Sequence, residues 1–557
     1  MDPVLNVREK LVDALKDIGV SITVTDITLG LTDNLSFGDY ATSVALAYAK
    51  EAGVKPRELA EKLVASMGSV EGISKIDIAG PGFINFTLDP RFVYKSLEAG
   101  LMQEEQWGSG LSRKGKKMMI EYTDPNPFKE FHIGHLVPNT LGESISRLLM
   151  FSGAEVKRAN YQGDVGIHVA KSLFIQLEKG ITDPTIEDLA SAYPEGSRRY
   201  DEDPEAKKAI DELNKKIYDK SDEKINALYA KGRALSLAHF EELYKVLGTT
   251  FDYYFFESET GPIGVKEVRA HPDVFEESEG AVVFKGEKYG LHTRVFINKL
   301  GLPTYEAKEL GLARMKAEKY QFDLTLTITA NEQAEYFKVV MKAMELSLPD
   351  LRGKLAFKTN GLLRFADGKM SSRLGNIITG EELIGDLKEK AMERASKSRA
   401  TDAQKLAGEV AVGAIKYQIL KQGFGKDIIF DRERALSLEG DSGPYLQYAH
   451  ARTSAIVEKA RGTGIVVKFD TASGASELVR RLYRFNEIVM RATDELEPHL
   501  VATYLINLAA AFNSWYANEQ ILDGTLGASH KVAITDITRQ TLKNGLWLLG
   551  IPAPEKM

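Results

Sequence analysis

KMMIEYTDPNPFKEFHIGHLVPNTLGESISRLLMFSGAEVKRANY, residues 117–161, decides the fold. KMMIEYT is a short apolar strand, and DPNPFKE breaks it with two prolines. HLVPNTLGESISRLLMFSG has helical spacing, with Leu141, Ile145, Leu148 and Leu149 on its apolar face, and Gly153 stops it. EVKRANY is a second strand. Strand, loop, helix and strand at this spacing make a βαβ unit, which implies a parallel sheet.

The loop of that unit carries the chemistry. His132 and His135 bracket Gly134 where the strand's carboxyl end passes into the helix, and in an open parallel sheet ligands bind in that crevice. A helix N-terminus offers unpaired N–H groups and partial positive charge to an anion. Gly134 lets a flat ring approach the backbone, and two imidazoles there suit polyphosphate oxygens in a transition state. Two plainer readings compete. His-x-x-His is also half of a metal site, and most such pairs are ordinary loop residues.

Outward from this unit the texture changes twice. Residues 1–112 open on a helix, pass through two Ala-rich helical runs and close on IDIAGPGFINFTL, read as strands joined by a turn at Pro81-Gly82. LSRKGKK (111–117) reads as a linker. Residues from about 170 to 280 read as an insertion of charged helices, and strand signals return with VFINKLG and FDLTLTITAN. Beyond about 405 the strands almost vanish and five helical runs read as a bundle. The expected architecture is a multidomain α/β chain: an N-terminal α+β module (1–112), a Rossmann-like parallel-sheet domain with an inserted helical segment (113–405), and an all-α bundle (406–557).

Composition bounds the function. The chain has 557 residues, 43% hydrophobic and 27% charged, and no cysteine, so disulfides, thiol catalysis and Cys-based metal sites are excluded. Lys and Arg number 72 against 79 Asp and Glu, a net charge of −7. A coat of positive charge is ruled out, while a local basic groove for nucleic acid on an acidic body is not. No signal peptide or membrane-spanning run is read, so a cytoplasmic protein is expected.

A second stretch, FADGKMSSRLGN (365–376), puts an ammonium, two hydroxyls and a guanidinium on flexible backbone able to fold over a triphosphate. HIGH in the first βαβ unit together with KMSSR late in the same domain resembles the signature of class I aminoacyl-tRNA synthetases. The fourth position of that second motif is often Lys, and here it is Ser372. The resemblance implies ATP as substrate, with Mg²⁺ accompanying it. It places His132, Gly134, His135, Lys369, Met370, Ser371 and Ser372 at the nucleotide, with His132, His135, Lys369 and Arg373 catalytic and no metal held by the protein.

EYTDPNPFKEFHIGH, GLPTYEAKELG (301–311) and TITANEQAEYFKVV (327–340) resemble the arginyl-tRNA synthetase family. Carried over by position, Glu121, Asn126, Tyr305, Glu309 and Gln333 line an arginine pocket. The family usually has Asp at the position of Glu309. A guanidinium is planar, permanently charged and rich in donors, so acidic and carbonyl groups suit it. DSGPYLQYAHARTSAI (441–456) also resembles this family. Tyr445, Tyr448 and Arg452 fall on one helical stripe, suited to stacking on unpaired anticodon bases, although core packing gives the same spacing. FGDYATSVALAYAK and GPGFINF resemble its N-terminal module, with Phe83 and Asn85 as tRNA-contact candidates. The chain also ends as the family ends, and completeness at Met557 is expected. The implied function is two-step ligation of arginine to tRNA(Arg) by a monomer, in the cytoplasm and away from membranes. Other class I specificities, an inactive RNA-binding paralogue and a nucleotidyltransferase without tRNA are the alternatives.

Overall fold

The computed structural model describes the chain apart from residues 1, 2, 33, 367, 369–377, 397, 399 and 526. It divides into two compact units. One comprises residues 1–108, 452–487 and 507–542, the other 109–451, 488–506 and 543–557.

The first unit contains a four-stranded antiparallel sheet of β1 (Gly30–Leu31), β2 (Tyr40–Thr42), β3 (Ile73–Ala79) and β4 (Phe83–Leu88), in the order β1-β2-β4-β3. The turn between β3 and β4 falls at Gly80 and Gly82, both at positive φ, as the Pro81-Gly82 reading expects. Helices Pro3–Asp17 and Pro56–Met67 bury Leu11, Leu15, Leu59 and Leu63. The helix Pro90–Gln103, with Asp89 capping its first turn, lies in a stretch the sequence reading passed over. Within this unit Arg480 donates to Asp39 at 2.8 Å and Arg484 to the Thr32 carbonyl at 2.7 Å, tying the helix Glu477–Tyr483 and the residue after it to the sheet.

The second unit is built on a parallel sheet of β5 (Lys117–Glu121), β6 (Glu155–Gln162), β7 (Tyr253–Phe256), β11 (Leu324–Ala330) and β12 (Leu355–Asn360), in the order β12-β11-β5-β6-β7. Strand order reverses at β5, so the ligand crevice opens at the carboxyl ends of β5 and β11. The helix Ile133–Phe151 joins β5 to β6 and buries Leu141, Ile145, Leu148 and Leu149. Ser152 is its last cap and Gly153 follows at positive φ.

Two features differ from the sequence reading. β7 lies inside the stretch read as a charged-helix insertion, yet its four aromatic residues form the edge of the main sheet. The inserted material is therefore the helices before it, Ile186–Glu202, Pro204–Asp219 and Glu223–Leu247, which pack Leu189, Ile210, Leu213, Ile225 and Leu228 around Phe128 and Val169 in a core of their own. VFINKLG falls in a separate antiparallel sheet of β8 (Glu276–Ser278), β9 (Ala281–Phe284) and β10 (Arg294–Ile297). Two short parallel strands, β13 (Leu363–Phe365) and β14 (Ile428–Phe430), pair beyond it. Helices predominate after residue 403, from Ala403–Leu420 to Ala528–Leu548.

Candidate active site

β5 delivers Glu121 at its last position, and the loop that follows is wound tightly. Thr123, Asp124 and Phe128 all have positive φ (87°, 49° and 66°), a conformation costly for residues with a Cβ. Side-chain bonds hold each of them. Thr123 accepts from the Asn139 amide at 3.0 Å, Asp124 accepts from the Tyr161 N–H at 2.8 Å, and the Phe128 N–H donates to Ser236 at 3.0 Å. Asn126 accepts from the Gly163 N–H at 2.9 Å, which fixes its amide against the end of β6.

The two histidines cap their own helix. The Gly134 N–H donates to His132 Nδ1 and the His132 N–H to His135 Nδ1, both at 3.1 Å, and the rings stack with centroids 3.7 Å apart. Each Nδ1 is thus an acceptor, so each neutral ring carries its proton on Nε2. Desolvation and the Lys129 ammonium hold His132 below the ordinary imidazole value. His135 is held well below it by desolvation and by His132. A Cβ on Gly134 would stand 2.8 Å from the His132 ring, so the stacked pair needs glycine there. Pro138 has no N–H to offer the Gly134 carbonyl four residues back.

Lys369, Met370, Ser371, Ser372 and Arg373 lie outside the described residues. The chain immediately after them is placed: Thr379 pairs with His132 as an isolated β-bridge, and the Gly380 N–H donates to the Phe131 carbonyl at 2.7 Å. The segment that follows KMSSR is therefore fastened to the HIGH loop.

The structure gathers carboxylates at the carboxyl ends of β5 and β11. Glu121 is buried in an ion pair with buried Lys316. Burial and then the Glu121 charge push Asp124 well above the ordinary carboxylate range, and the same two causes push Glu309 up to about 8. Nearby acids have cations of their own, Lys308 at 2.5 Å from Glu257 and Arg294 at 3.6 Å from Glu306. Glu121, Asp124 and Glu309 share Lys316, so the pocket holds more carboxyl groups than cations, and burial with the Glu121 charge holds two of them protonated. Tyr161 and Tyr336 both feel the Glu309 charge.

Tyr305 begins the helix Tyr305–Lys319 and is 65% exposed, with the Lys308 ammonium 5.1 Å from its ring centre; Glu309 lies one turn on. Gln333 is exposed in the 3-10 turn Asn331–Gln333 that leaves β11. Asp124, Lys316 and Tyr336 escaped the sequence reading. Lys316 alone left a usable trace, two helical turns after Glu309.

In the second unit, Ser442 caps the helix Gly443–Gly462 by accepting from the Tyr445 N–H at 3.1 Å. Tyr445 and Tyr448 are half-buried on it. Tyr448 lines a cavity of about 450 Å³ with Arg394, Arg432 and Met557. In the first unit Arg452 donates to Asn513 at 2.6 Å, with Tyr516's ring centre 5.5 Å away. Phe83 is 41% exposed at the start of β4, so strand packing does not account for it, whereas Asn85 is 7% exposed in the middle of the sheet.

Among the described residues no helix is long and apolar enough to cross a membrane. Three family models match: "tRNA synthetases class I (R), catalytic domain" over residues 96–432, "DALR anticodon binding domain" over 446–557, and "Arginyl tRNA synthetase N terminal domain" over 5–88. The arginine–tRNA ligase of Fusobacterium nucleatum is 31% identical, across 96% of this chain and 95% of its own length. That of Clostridium perfringens is 30% identical, across 93% and 94%. The solved Thermus thermophilus arginyl-tRNA synthetase superposes with a TM-score of 0.81 at 25% identity, covering 99% of both chains.

Proposed function

The chain belongs to the arginyl branch of the class I tRNA synthetases, and from that premise we propose how its residues divide the work. It ligates arginine to its cognate tRNA in two steps. The arginine carboxylate attacks the α-phosphate of ATP, giving arginyl-adenylate and pyrophosphate. Arginine then passes to a ribose hydroxyl of the tRNA's 3′-terminal adenosine. Phosphoryl chemistry of this kind asks the protein for positioning and charge stabilisation rather than covalent help.

The observation that carries the reading is the surplus of carboxyl groups, buried Glu121 and half-buried Asp124 and Glu309 sharing one lysine, at the mouth of the parallel sheet. A guanidinium supplies the cation these carboxyl groups lack and ionises Glu309 as it binds. Glu309, helped by Tyr305, receives the guanidinium, Glu121 supports it, and Asn126 and Gln333 hold the α-ammonium and carboxylate. His132 and His135 donate from Nε2 to the phosphate as charge builds, and Gly134 seats the adenine and ribose. Lys369 and Arg373, with Met370, Ser371 and Ser372, hold the departing pyrophosphate. Mg²⁺ arrives on the nucleotide, bound by phosphates and water.

Tyr445, Tyr448 and Arg452 read the anticodon, with the cavity beside Tyr448 large enough to take an unstacked base. Phe83 meets the outer part of the tRNA, and Asn85, paired on both sides within the sheet, supports that contact from behind. The functional modules are 1–112, 113–405 and 406–557, acting in a cytoplasmic monomer.

The test is arginine-dependent ATP–pyrophosphate exchange, run with and without tRNA(Arg). Exchange with arginine and with no other amino acid is expected. Activity only with a different amino acid would mean that the pocket is misread. His132→Ala or His135→Ala should lower the exchange rate by about 100-fold or more while arginine binding, measured by calorimetry, stays near wild type. Wild-type exchange in either variant would remove the histidines from the mechanism.

A further inference from the structure

A second concave surface lies in the catalytic unit, away from the carboxylate pocket. It is a groove of about 610 Å³ lined by Arg147, Lys245, Lys388, Lys405 and Lys543, with Glu409 as the carboxylate of its lining and Arg147 paired from beneath with Glu143 at 2.7 Å. These cations come from five different helices, Ile133–Phe151, Glu223–Leu247, Gly380–Ala395, Ala403–Leu420 and Ala528–Leu548, so only folding assembles them. On a chain of net charge −7 such a local excess runs against the average. Lys245, Lys388 and Lys405 are exposed. Their existing pairs are weak: Lys245 with Glu242 is a solvent-screened neighbour on one helix, and Lys405 stands 3.8 Å from Glu409.

The floor of the groove explains why this charge is not spent internally. Two helices end there, and helix C-termini carry partial negative charge that would attract the lysines and repel an anion. Carbonyls of both ends are already hydrogen-bonded from beneath. Arg147 donates to the Trp547 carbonyl at 2.9 Å and the Gly248 carbonyl at 3.0 Å. Lys416, fully buried, donates to the Leu247 carbonyl at 2.6 Å and the Gly550 carbonyl at 2.8 Å. Lys245, Lys388 and Lys405 lie exposed on the rim. Trp547, 40% exposed, adds a flat apolar wall held by Arg147, whose guanidinium lies 5.2 Å from the ring centre.

We infer that this groove binds the phosphodiester backbone of tRNA, as a contact site separate from the anticodon stripe and the active site. The inference rests on the ligase reading above. Exposed ammonium groups on a concave wall track phosphates without reading bases, and a polyanion is the partner that Lys245, Lys388 and Lys405 around a lone lining carboxylate fit.

The experiment measures binding of fluorescently labelled tRNA(Arg) by anisotropy across a salt series, using full-length wild type, Lys388→Glu/Lys405→Glu and Lys388→Arg/Lys405→Arg. The charge-reversed protein should bind about tenfold or more weakly at ~0.1 M salt, with the slope of log K against log salt smaller by about 2. Its KM for tRNA should rise by a similar factor while kcat at saturating tRNA stays within about twofold, and the arginine variant should behave as wild type. Affinity and slope unchanged by charge reversal, in a protein that still charges tRNA, would overturn the groove and leave the ligase reading standing. A wild type that charges no tRNA at all would overturn the ligase reading itself.

Discussion

With the pocket empty, burial and the Glu121 charge keep the Glu309 carboxyl protonated up to about pH 8, whereas a guanidinium partner requires the carboxylate. Arginine binding below that value must expel a proton. Affinity for arginine should thus climb by up to tenfold per pH unit and level off above about 8, since the substrate's own guanidinium stays charged throughout. Calorimetry at pH 7 in buffers of different ionisation enthalpy should register close to one proton released. A pH-independent affinity, or proton uptake, would show that Glu309 is not the partner. Glu309→Gln should abolish the slope and weaken arginine binding by roughly 10- to 150-fold, the loss of one charge-assisted interaction. Glu121 and Glu309 were legible because they sit in strings with a family likeness. Asp124 was not, although it stands in the same string. An Asp before Pro reads as a turn residue, and only the Tyr161 N–H, 37 positions along on the neighbouring strand, turns it inward.

The helix Ile133–Phe151 transmits the position of the sheet to the histidines at its head, and it does so by lying very close to β5. A Cβ on Gly142 would come within 2.1 Å of the Tyr122 ring. Gly142→Ala should cost about 1–3 kcal/mol of stability, seen in thermal or urea unfolding, because helix or ring must shift. The shift should also lower the exchange rate without altering the pH dependence of arginine binding. An alanine variant with wild-type stability and rate would mean that the helix is free to slide. This element was the most legible in the chain, since its apolar period, its stop at Gly153 and its two flanking strands agree with one another. β7 was the least legible. Four residues, YYFF, are too few to show a period, and the charged helices before them set the apparent character of the whole stretch. The carboxylate pocket could be read only in part for a related reason: its members come from β5, its loop and the helix Tyr305–Lys319, and pairing across the sheet brings them together.

At the scale of the molecule, the catalytic unit is closed by its own last segment. Residues 543–557 belong to it, and Ser144 donates to the Leu548 carbonyl at 2.8 Å across 404 positions of sequence. Beside that bond, burial lowers the Lys416 ammonium from its ordinary value near 10.5 to about 7. The sign follows from proton counting. Between about pH 7 and 10.5 the unfolded chain holds a proton on this lysine that the folded chain lacks, so its contribution to stability rises with pH across that window. The span corresponds to roughly 4–5 kcal/mol. Lys416→Met should remove this rise, so that the difference in unfolding free energy between pH 7 and 9.5 becomes smaller than in wild type by an amount of that order. Equal differences in the two proteins would show that the lysine is not desolvated. The same clamp has a consequence for how the protein is made. Lys416 and Arg147 are synthesised long before Trp547 and Gly550, which supply two of the four carbonyl acceptors that they hold. A nascent chain must keep both cations hydrated until residues 547–550 have left the ribosome, so this clamp closes only after every strand of the parallel sheet has been made.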